Sequence, residues 1–367
     1  MVLCPSTPEE LAEQFAEANS KRQSITLCGN STKNRMAGPI AASDITISTA
    51  AMNRVLQYEP RDLTISVEAG MRWSDFSLLL AGHGQMVPLD PSFESNATVG
   101  GVVAANVSGP RRRLYGSARD MVIGMTFVTL EGKQIRTGGM VVKNVAGLDM
   151  AKLMIGSFGT LSTIAVVNFR LHPIPAETRT FVQEFVRVAE AIAARDKVVK
   201  SSLQPAAVDI LKSAEGYDLL IQAGGSPAVL DRFSRELSGA RTLEGDEEQT
   251  LWANIREFTP QFLNQHEEGA VLRISCTLSE VGGVMESLPA PGLARGGSGV
   301  CYGYFARAKE LRMPALGRSV VEFASDEFRA RADLWPAPGT DFAMMKSVKQ
   351  MFDPGGRLNR GRLYGRI

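Results

Sequence analysis

The sequence predicts an α+β fold in two parts, closed by a C-terminal segment that returns to the first part. Three observations carry this. Clusters of small residues recur through the first half, at Leu27–Lys33, Ala97–Asn106 and Gly138–Leu171. From Phe181 onward, strand-like and helix-like stretches alternate without comparable motifs, as in a mixed cap domain. A tail rich in glycine and arginine then follows one last helical stretch, Phe342 to Met351. With 367 residues the chain is long enough for a large core and two domains. Its 44% hydrophobic and 22% charged residues are those of an ordinary globular protein rather than a disordered one.

Taken in order, Thr7-Pro8-Glu9-Glu10 reads as a helix start, with Thr7 as N-cap, Pro8 where a missing N–H costs nothing, and Glu10 closing a capping box. Leu11, Phe15 and Ala18 recur on one face of that helix. Ser24 to Cys28 is a short strand that turns into Gly29-Asn30-Ser31-Thr32-Lys33, where successive N–H groups and two hydroxyls suit a diphosphate. Asp44 to Ser48 and Leu63 to Glu68 alternate at period two, with Pro60-Arg61-Asp62 as a turn before the second. Trp73 to Leu80 is helical and stops at Gly82. Met121 to Leu130 and Gln134 to Thr137 form a hairpin around Glu131-Gly132-Lys133. Asp149, Met150, Leu153 and Met154 make a short helical pattern between glycine turns at Gly147 and at Gly156 with Gly159, and Leu161 to Leu171 is β-rich. Cap strands are expected at Phe181–Phe185, Ala207–Leu211, Asp218–Gln222, Val271–Thr277 and Gly299–Phe305. Three spaced loops of small residues imply one extended ligand lying against bare backbone.

Composition excludes several functions. A net charge of +1 argues against a nucleic-acid partner, and Arg111-Arg112-Arg113 is the one local basic run. Neither G-x-G-x-x-G after a strand nor G-x-x-x-x-G-K-[ST] is present, so a Rossmann site and a P-loop are unsupported. Cys4, Cys28, Cys276 and Cys301 form no CxxC pair, which excludes the usual iron–sulfur and zinc spacings and suggests a reducing, cytoplasmic setting. The first residues do not read as a signal peptide, and no run of 18 apolar residues is present, so membrane association is expected only through partners.

The order CGNSTK (28–33), ATVGGVVAANVSGP (97–110), LYGSARDMV (114–122), VVKNVAGLDMAKLMIGSFGTLSTI (141–164) and FDPGGRLNRGRL (352–363) resembles the FAD-binding flavoproteins of the vanillyl-alcohol oxidase and p-cresol methylhydroxylase (PCMH) type. Within that superfamily it is most similar to the smaller FAD-binding subunits of bacterial glycolate oxidases. The resemblance implies a two-subdomain PCMH-type FAD-binding domain over 1–175, a smaller α+β cap domain over 176–337, and a segment over 338–367 returning to the FAD site. It implies that Cys28, Gly29, Asn30, Ser31, Thr32 and Lys33 form the pyrophosphate loop. Pro91 leads to Thr98, Val99, Gly100 and Gly101, beside the pyrophosphate and adenosine half. Asn106, Ser108 and Gly109 continue this wall, with Tyr115, Gly116 and Asp120 at the re-entry to a strand. Lys143, Asn144, Gly147, Gly156, Gly159, Thr160 and Leu161 approach the flavin ring and ribityl chain, with Ile164 packed nearby. In the tail, Asn359 and Arg362 reach back towards the flavin. Lys143 would stabilise negative charge on a reduced flavin. Two departures stand out: Asn30-Ser31 where the family has glycines, and Arg360 where it has proline.

The histidine used for covalent flavin attachment in this superfamily is missing from the 28–33 loop, so FAD is expected to be held non-covalently. His83, His172 and His266 are widely separated, leaving no metal site and no identifiable catalytic base. The resemblance therefore implies a subunit acting on a small 2-hydroxy acid, glycolate, beside a second FAD-binding flavin subunit and an iron–sulfur subunit. Two alternatives remain open. One is a self-sufficient oxidase of another hydroxy acid or alcohol, its base supplied by Tyr302 or Tyr304 or by an arginine-clamped carboxylate. The other is a non-catalytic structural flavoprotein subunit, for which Asn30-Ser31 is the motivating feature.

Overall fold

Thr7 begins the first helix as its sequence requires: its hydroxyl accepts from Glu10 N–H (3.1 Å), and Pro8 opens α1 (Pro8–Ser20). The Glu10 carboxylate accepts from Ser6 N–H (2.7 Å), one residue earlier than a capping box would place it. The computed structural model describes residues 1–141, 148–365 and 367, and the chain divides into two units. The first comprises 1–108, 117–174 and 337–367; the second comprises 109–116 and 175–336.

The first unit holds two main sheets. Strands β1 (Val2–Leu3), β2 (Ile25–Cys28) and β3 (Ile45–Ser48) form a parallel sheet in the order β1-β3-β2. Leu11, Phe15 and Ala18 of α1 bury against Ile25, Ile45 and Ile47 of this sheet and Val128 of the next. That next sheet is antiparallel, built from β4 (Val55–Glu59), β5 (Thr64–Glu68), β7 (Val122–Val128), β8 (Gln134–Gly138) and β9 (Thr163–Arg170), in the order β4-β5-β9-β7-β8. A small pair, β6 (Gln85–Met86) with β10 (His172–Pro173), lies beside it in sequence. Helix α2 (Trp73–Ala81) brings Trp73 and Phe76 edge-on to each other at 5.4 Å, with Phe169 of β9 close to both.

One expectation fails instructively. The cluster at Thr98–Ala104 is not an open loop but a helix, α3 (Val99–Ala104), capped by the Thr98 hydroxyl on Gly101 N–H (3.2 Å). Its first turn is tied to the backbone beside α2, with Val99 N–H on Met71 O (2.8 Å) and Gly100 N–H on Ala69 O (2.7 Å).

The C-terminal segment closes the first unit. Helix α12 (Asp341–Phe352) ends at Asp353, whose buried carboxylate accepts from Arg357 N–H (2.7 Å), Leu358 N–H (2.8 Å) and Lys349 Nζ (2.6 Å). Lys349 also donates to Thr160 O (2.7 Å). Burial pulls the Lys349 ammonium below its usual range, and Asp353 opposes this.

The second unit is one eight-stranded antiparallel sheet with helices on both faces. Its strands are β11 (Glu177–Phe185), β12 (Ala207–Lys212), β13 (Tyr217–Gly225), β14 (Arg241–Leu243), β15 (Ala270–Ser275), β16 (Gly292–Arg295), β17 (Val300–Phe305) and β18 (Arg318–Phe323). The order is β14-β11-β13-β12-β16-β17-β15-β18. One face packs Phe181, Ile210, Leu272, Ile274 and Cys301 against α7 (Val188–Lys200), α8 (Pro227–Glu236) and α10 (Val281–Ser287). On the other face α9 (Gly245–Gln265) covers one end, with Trp252 and Ile255 over Val182 and Leu220. Strands β14, β16 and β18 were not expected from sequence. Cys276 and Cys301, far apart in the chain, bring their Sγ atoms to 4.0 Å.

Removing the Asp353 carboxylate would leave the Lys349 ammonium and two backbone donors without their acceptor. Asp353→Ala is therefore expected to cost about 2–4 kcal/mol, read by urea unfolding of the full chain. A change within experimental error would show that the tail contributes nothing to stability.

Candidate functional site

The first unit contains a cleft formed where β2 ends. Its lining includes Leu27 and Cys28 from the end of β2, Gly29, Asn30, Ser31, Thr32, Lys33 and Asn34 from the loop after it, and Thr49 after β3. Thr98, Gly100, Gly101, Ala104 and Ala105 come from α3 and its ends; Phe158, Gly159, Ser162, Thr163 and Ile164 from the turn into β9; and Asn359 and Arg362 from the tail.

Each wall is fixed by backbone chemistry. Ser48 Oγ donates to Gly29 O (3.2 Å), steadying the start of the loop. Ser31 adopts φ +57°, the left-handed conformation that glycine would take more easily, and Asn30 Nδ2 donates to Asn96 O (3.0 Å). The two departures from a glycine run are thus accommodated by a loop that its neighbours hold. A Cβ on Gly29 would meet Thr98 Oγ1 at 2.3 Å, so the loop and the cap of α3 touch through bare backbone. Lys33 is buried, its ammonium 5.7 Å from the centre of the Phe93 ring.

The tail contributes two stitches. Asn359 accepts from Leu27 N–H at Oδ1 (2.7 Å) and donates from Nδ2 to Phe158 O (2.7 Å), joining the end of β2 to the turn before β9. Arg362 lines the cleft, but its guanidinium donates to the carbonyls of Gly38 (2.8 Å), Lys33 (3.2 Å) and Asn34 (3.4 Å) and lies 5.6 Å from the Phe158 ring. Its described contacts hold the loop in place. Arg360, at the position where proline was expected, donates to Ala42 O.

Not every expected residue faces this cleft. Pro91 and Val99 are buried away from it, Thr160 turns its hydroxyl to Ser157 O (2.7 Å), and Leu161 is core. Gly156 (φ +82°) and Asn106 (φ +50°) form the turn behind it, and Ser108 ends the segment. Asp120 is engaged as the cap of α5 (Ala118–Met121), accepting from Ser117 N–H (2.8 Å) and Oγ (3.0 Å). Gly109, Tyr115 and Gly116 belong to the second unit, where α4 (Arg112–Tyr115) packs on β12. Lys143, Asn144 and Gly147 lie outside the described residues. Among the lining residues not singled out from sequence are Thr49, which stands in no motif, and Phe158, Ser162 and Thr163, which lie within the 141–164 stretch.

His83 packs edge-on to Tyr58 at 5.0 Å, His172 lies on β10, and His266 follows α9 against Phe262 at 4.5 Å. Among the described residues no group of three or more His, Cys, Asp or Glu is placed to hold a metal ion. No helix among them is long and apolar enough to cross a membrane.

Residues 1–138 match the family model of an FAD binding domain. Those residues of the chain form an FAD-binding domain. Over 360 residues, 98% of this chain and 98% of the relative, it is 28% identical to glycolate oxidase subunit GlcE of Escherichia coli (strain K12). It is 29% identical over 211 residues to glycolate oxidase subunit GlcD of Bacillus subtilis (strain 168), covering 57% of this chain and 45% of that one. A solved structure of alkyldihydroxyacetonephosphate synthase shares the fold, with a TM-score of 0.70 at 18% identity, over 98% of this chain and 75% of the other. The cofactor is FAD. The cleft fits such a group on two counts. Its wall exposes backbone where side chains would collide, and Thr163 Oγ1 is buried there without a hydrogen-bond partner among the described residues.

Gly159 takes φ +69°, and a Cβ there would lie 2.8 Å from Asn359 Nδ2 and 3.3 Å from Leu27 Cδ1. Gly159→Ala is expected to weaken FAD binding about tenfold or more, read by titrating apo-protein with FAD. Unchanged affinity would remove this turn from the cofactor site.

Proposed function

We propose that the chain is the FAD-binding subunit of a glycolate oxidase complex, taking part in oxidation of glycolate to glyoxylate. The observation that carries this reading is the match to a glycolate oxidase subunit over essentially the whole of both chains, together with a cleft of the first unit that suits FAD. The oxidation removes two electrons and two protons from the C–OH group, and FAD supplies the hydride acceptor.

On this reading Cys28 to Lys33, Thr98, Gly100, Gly101 and Gly159 hold the cofactor non-covalently. Asn359 and Arg362 act as positioning residues that keep the loop and the turn in register. Asn106, Gly156, Thr160, Leu161 and Ile164 support the same wall. The second unit is the cap, and residues 338–367 return to the FAD domain. The absence of a CxxC pair in the sequence supports an iron–sulfur subunit as the onward carrier, beside a second flavin subunit. The protein is cytoplasmic and reaches a membrane only through that complex.

Three co-expressed subunits are expected to oxidise glycolate with steady turnover, whereas this chain loaded with FAD alone is not. Full-rate turnover by the isolated chain, followed as glyoxylate formation, would contradict the subunit assignment and support a self-sufficient oxidase.

A further inference from the structure

The sheet of the second unit carries a row of polar residues on the face opposite its apolar core. Strands β12, β16, β17, β15 and β18 are neighbours in that order, and each contributes one member: Asp209, Arg295, Tyr302, Arg273 and Glu322. Arg273 stands directly opposite Tyr302, and Arg295 pairs with Val300, one step along the same face from Tyr302. Their alternate neighbours Ile210, Ala294, Cys301, Leu272 and Val321 all enter the core. The row reads acid, arginine, tyrosine, arginine, acid.

Its charges are largely removed from water, yet their pairing is uneven. Asp209 is 1% exposed at its side chain and Arg295 11%; the two form an ion pair, and the Arg295 guanidinium lies 6.0 Å from the centre of the Tyr302 ring. Arg295 Nε is buried with no hydrogen-bond partner among the described residues. Arg273 is 29% exposed at its side chain; it donates to Ser275 Oγ (3.2 Å), and its Nε stands 3.8 Å from Glu322 Oε1, too far for a hydrogen bond. Burial pushes the Glu322 carboxyl above its usual range, with Arg273 and Arg295 opposing. A row kept only for packing would be apolar, because half-paired charges in a sheet face cost more than they return. A guanidinium with donors to spare, next to a tyrosine hydroxyl, is what a planar carboxylate matches.

We propose that this row is a carboxylate-binding site, in which the Arg273 guanidinium and the Tyr302 hydroxyl receive the anion while Asp209 and Glu322 keep the two arginines in place. Assigning the carboxylate to a small 2-hydroxy acid rests on the proposed function; the anion site itself does not. The full FAD-loaded chain is titrated by calorimetry with glycolate, with oxalate as a carboxylate that lacks the C–H to be oxidised, and with glycolamide as the uncharged control. Both anions are expected to bind and glycolamide is not. Arg273→Gln should raise the Kd for oxalate about tenfold or more, at unchanged flavin content, and Tyr302→Phe by a smaller factor. Tyr302→Phe carries the test by itself should Arg273→Gln fail to fold. Wild-type protein that binds neither anion, or both variants binding oxalate with the wild-type Kd, would overturn the proposal. Oxalate binding that weakens as described, in a chain whose flavin glycolate does not reduce even in the assembled complex, would keep the anion site and remove the functional reading. Reduction by glycolate with KM unchanged in both variants would do the reverse.

Discussion

The outer edge of β2 is the constraint on which the first unit depends. A parallel sheet ordered β1-β3-β2 leaves the N–H and C=O groups of β2 open on one side, and buried backbone groups need partners. The C-terminal segment supplies them: Ile25 N–H donates to Arg357 O (2.9 Å), Asn359 N–H donates to Ile25 O (3.0 Å), and Leu27 N–H finds Asn359 Oδ1 (2.7 Å). Residues more than three hundred positions away thus complete the strand from which the loop at Cys28–Lys33 leaves. The tail can do this because the Asp353 carboxylate sets its turn and Lys349 ties that turn to Thr160 O. Stability of the unit and shape of the cleft draw on the same few hydrogen bonds.

The remaining walls follow the same logic of close backbone approach. Gly100 admits the Ala69 carbonyl because a Cβ there would lie 2.7 Å from Ala69 Cβ, and Gly29 lies against the Thr98 side chain. The small residues fix distances between segments as well as making room for a ligand. This explains why a helix as short as α3 persists: a capping hydroxyl, two backbone bonds to Ala69 and Met71, and fully buried Val99, Val102 and Val103 outweigh weak intrinsic propensity.

That helix also marks the limit of what the sequence reveals. Val-Gly-Gly-Val-Val reads as a loop or strand because glycine and β-branched residues disfavour helix, and only tertiary contacts reverse it. By contrast α1 was legible from Thr7, Pro8 and the Leu11–Phe15–Ala18 spacing, since its cap and apolar stripe are local. Strands β16 and β18 escaped because Gly292–Arg295 is only four residues long and the charged positions of Arg318–Phe323 gain meaning only beside Arg273. In the cleft, contiguous motifs such as Cys28–Lys33 could be read directly, while Thr49 could not, because only the fold brings it there. Arg362 was read as a cofactor contact from its place in a motif; it lines the cleft, and its guanidinium also donates to three backbone carbonyls.

The most direct test of a first unit that holds FAD through backbone and tail contacts, without a covalent bond, is the visible spectrum of the purified chain before and after denaturation and filtration. The account predicts a flavin spectrum in the folded protein and a yellow filtrate, with all of the chromophore released from the polypeptide. Chromophore retained on the denatured chain, or no flavin spectrum even after FAD is added, would contradict it.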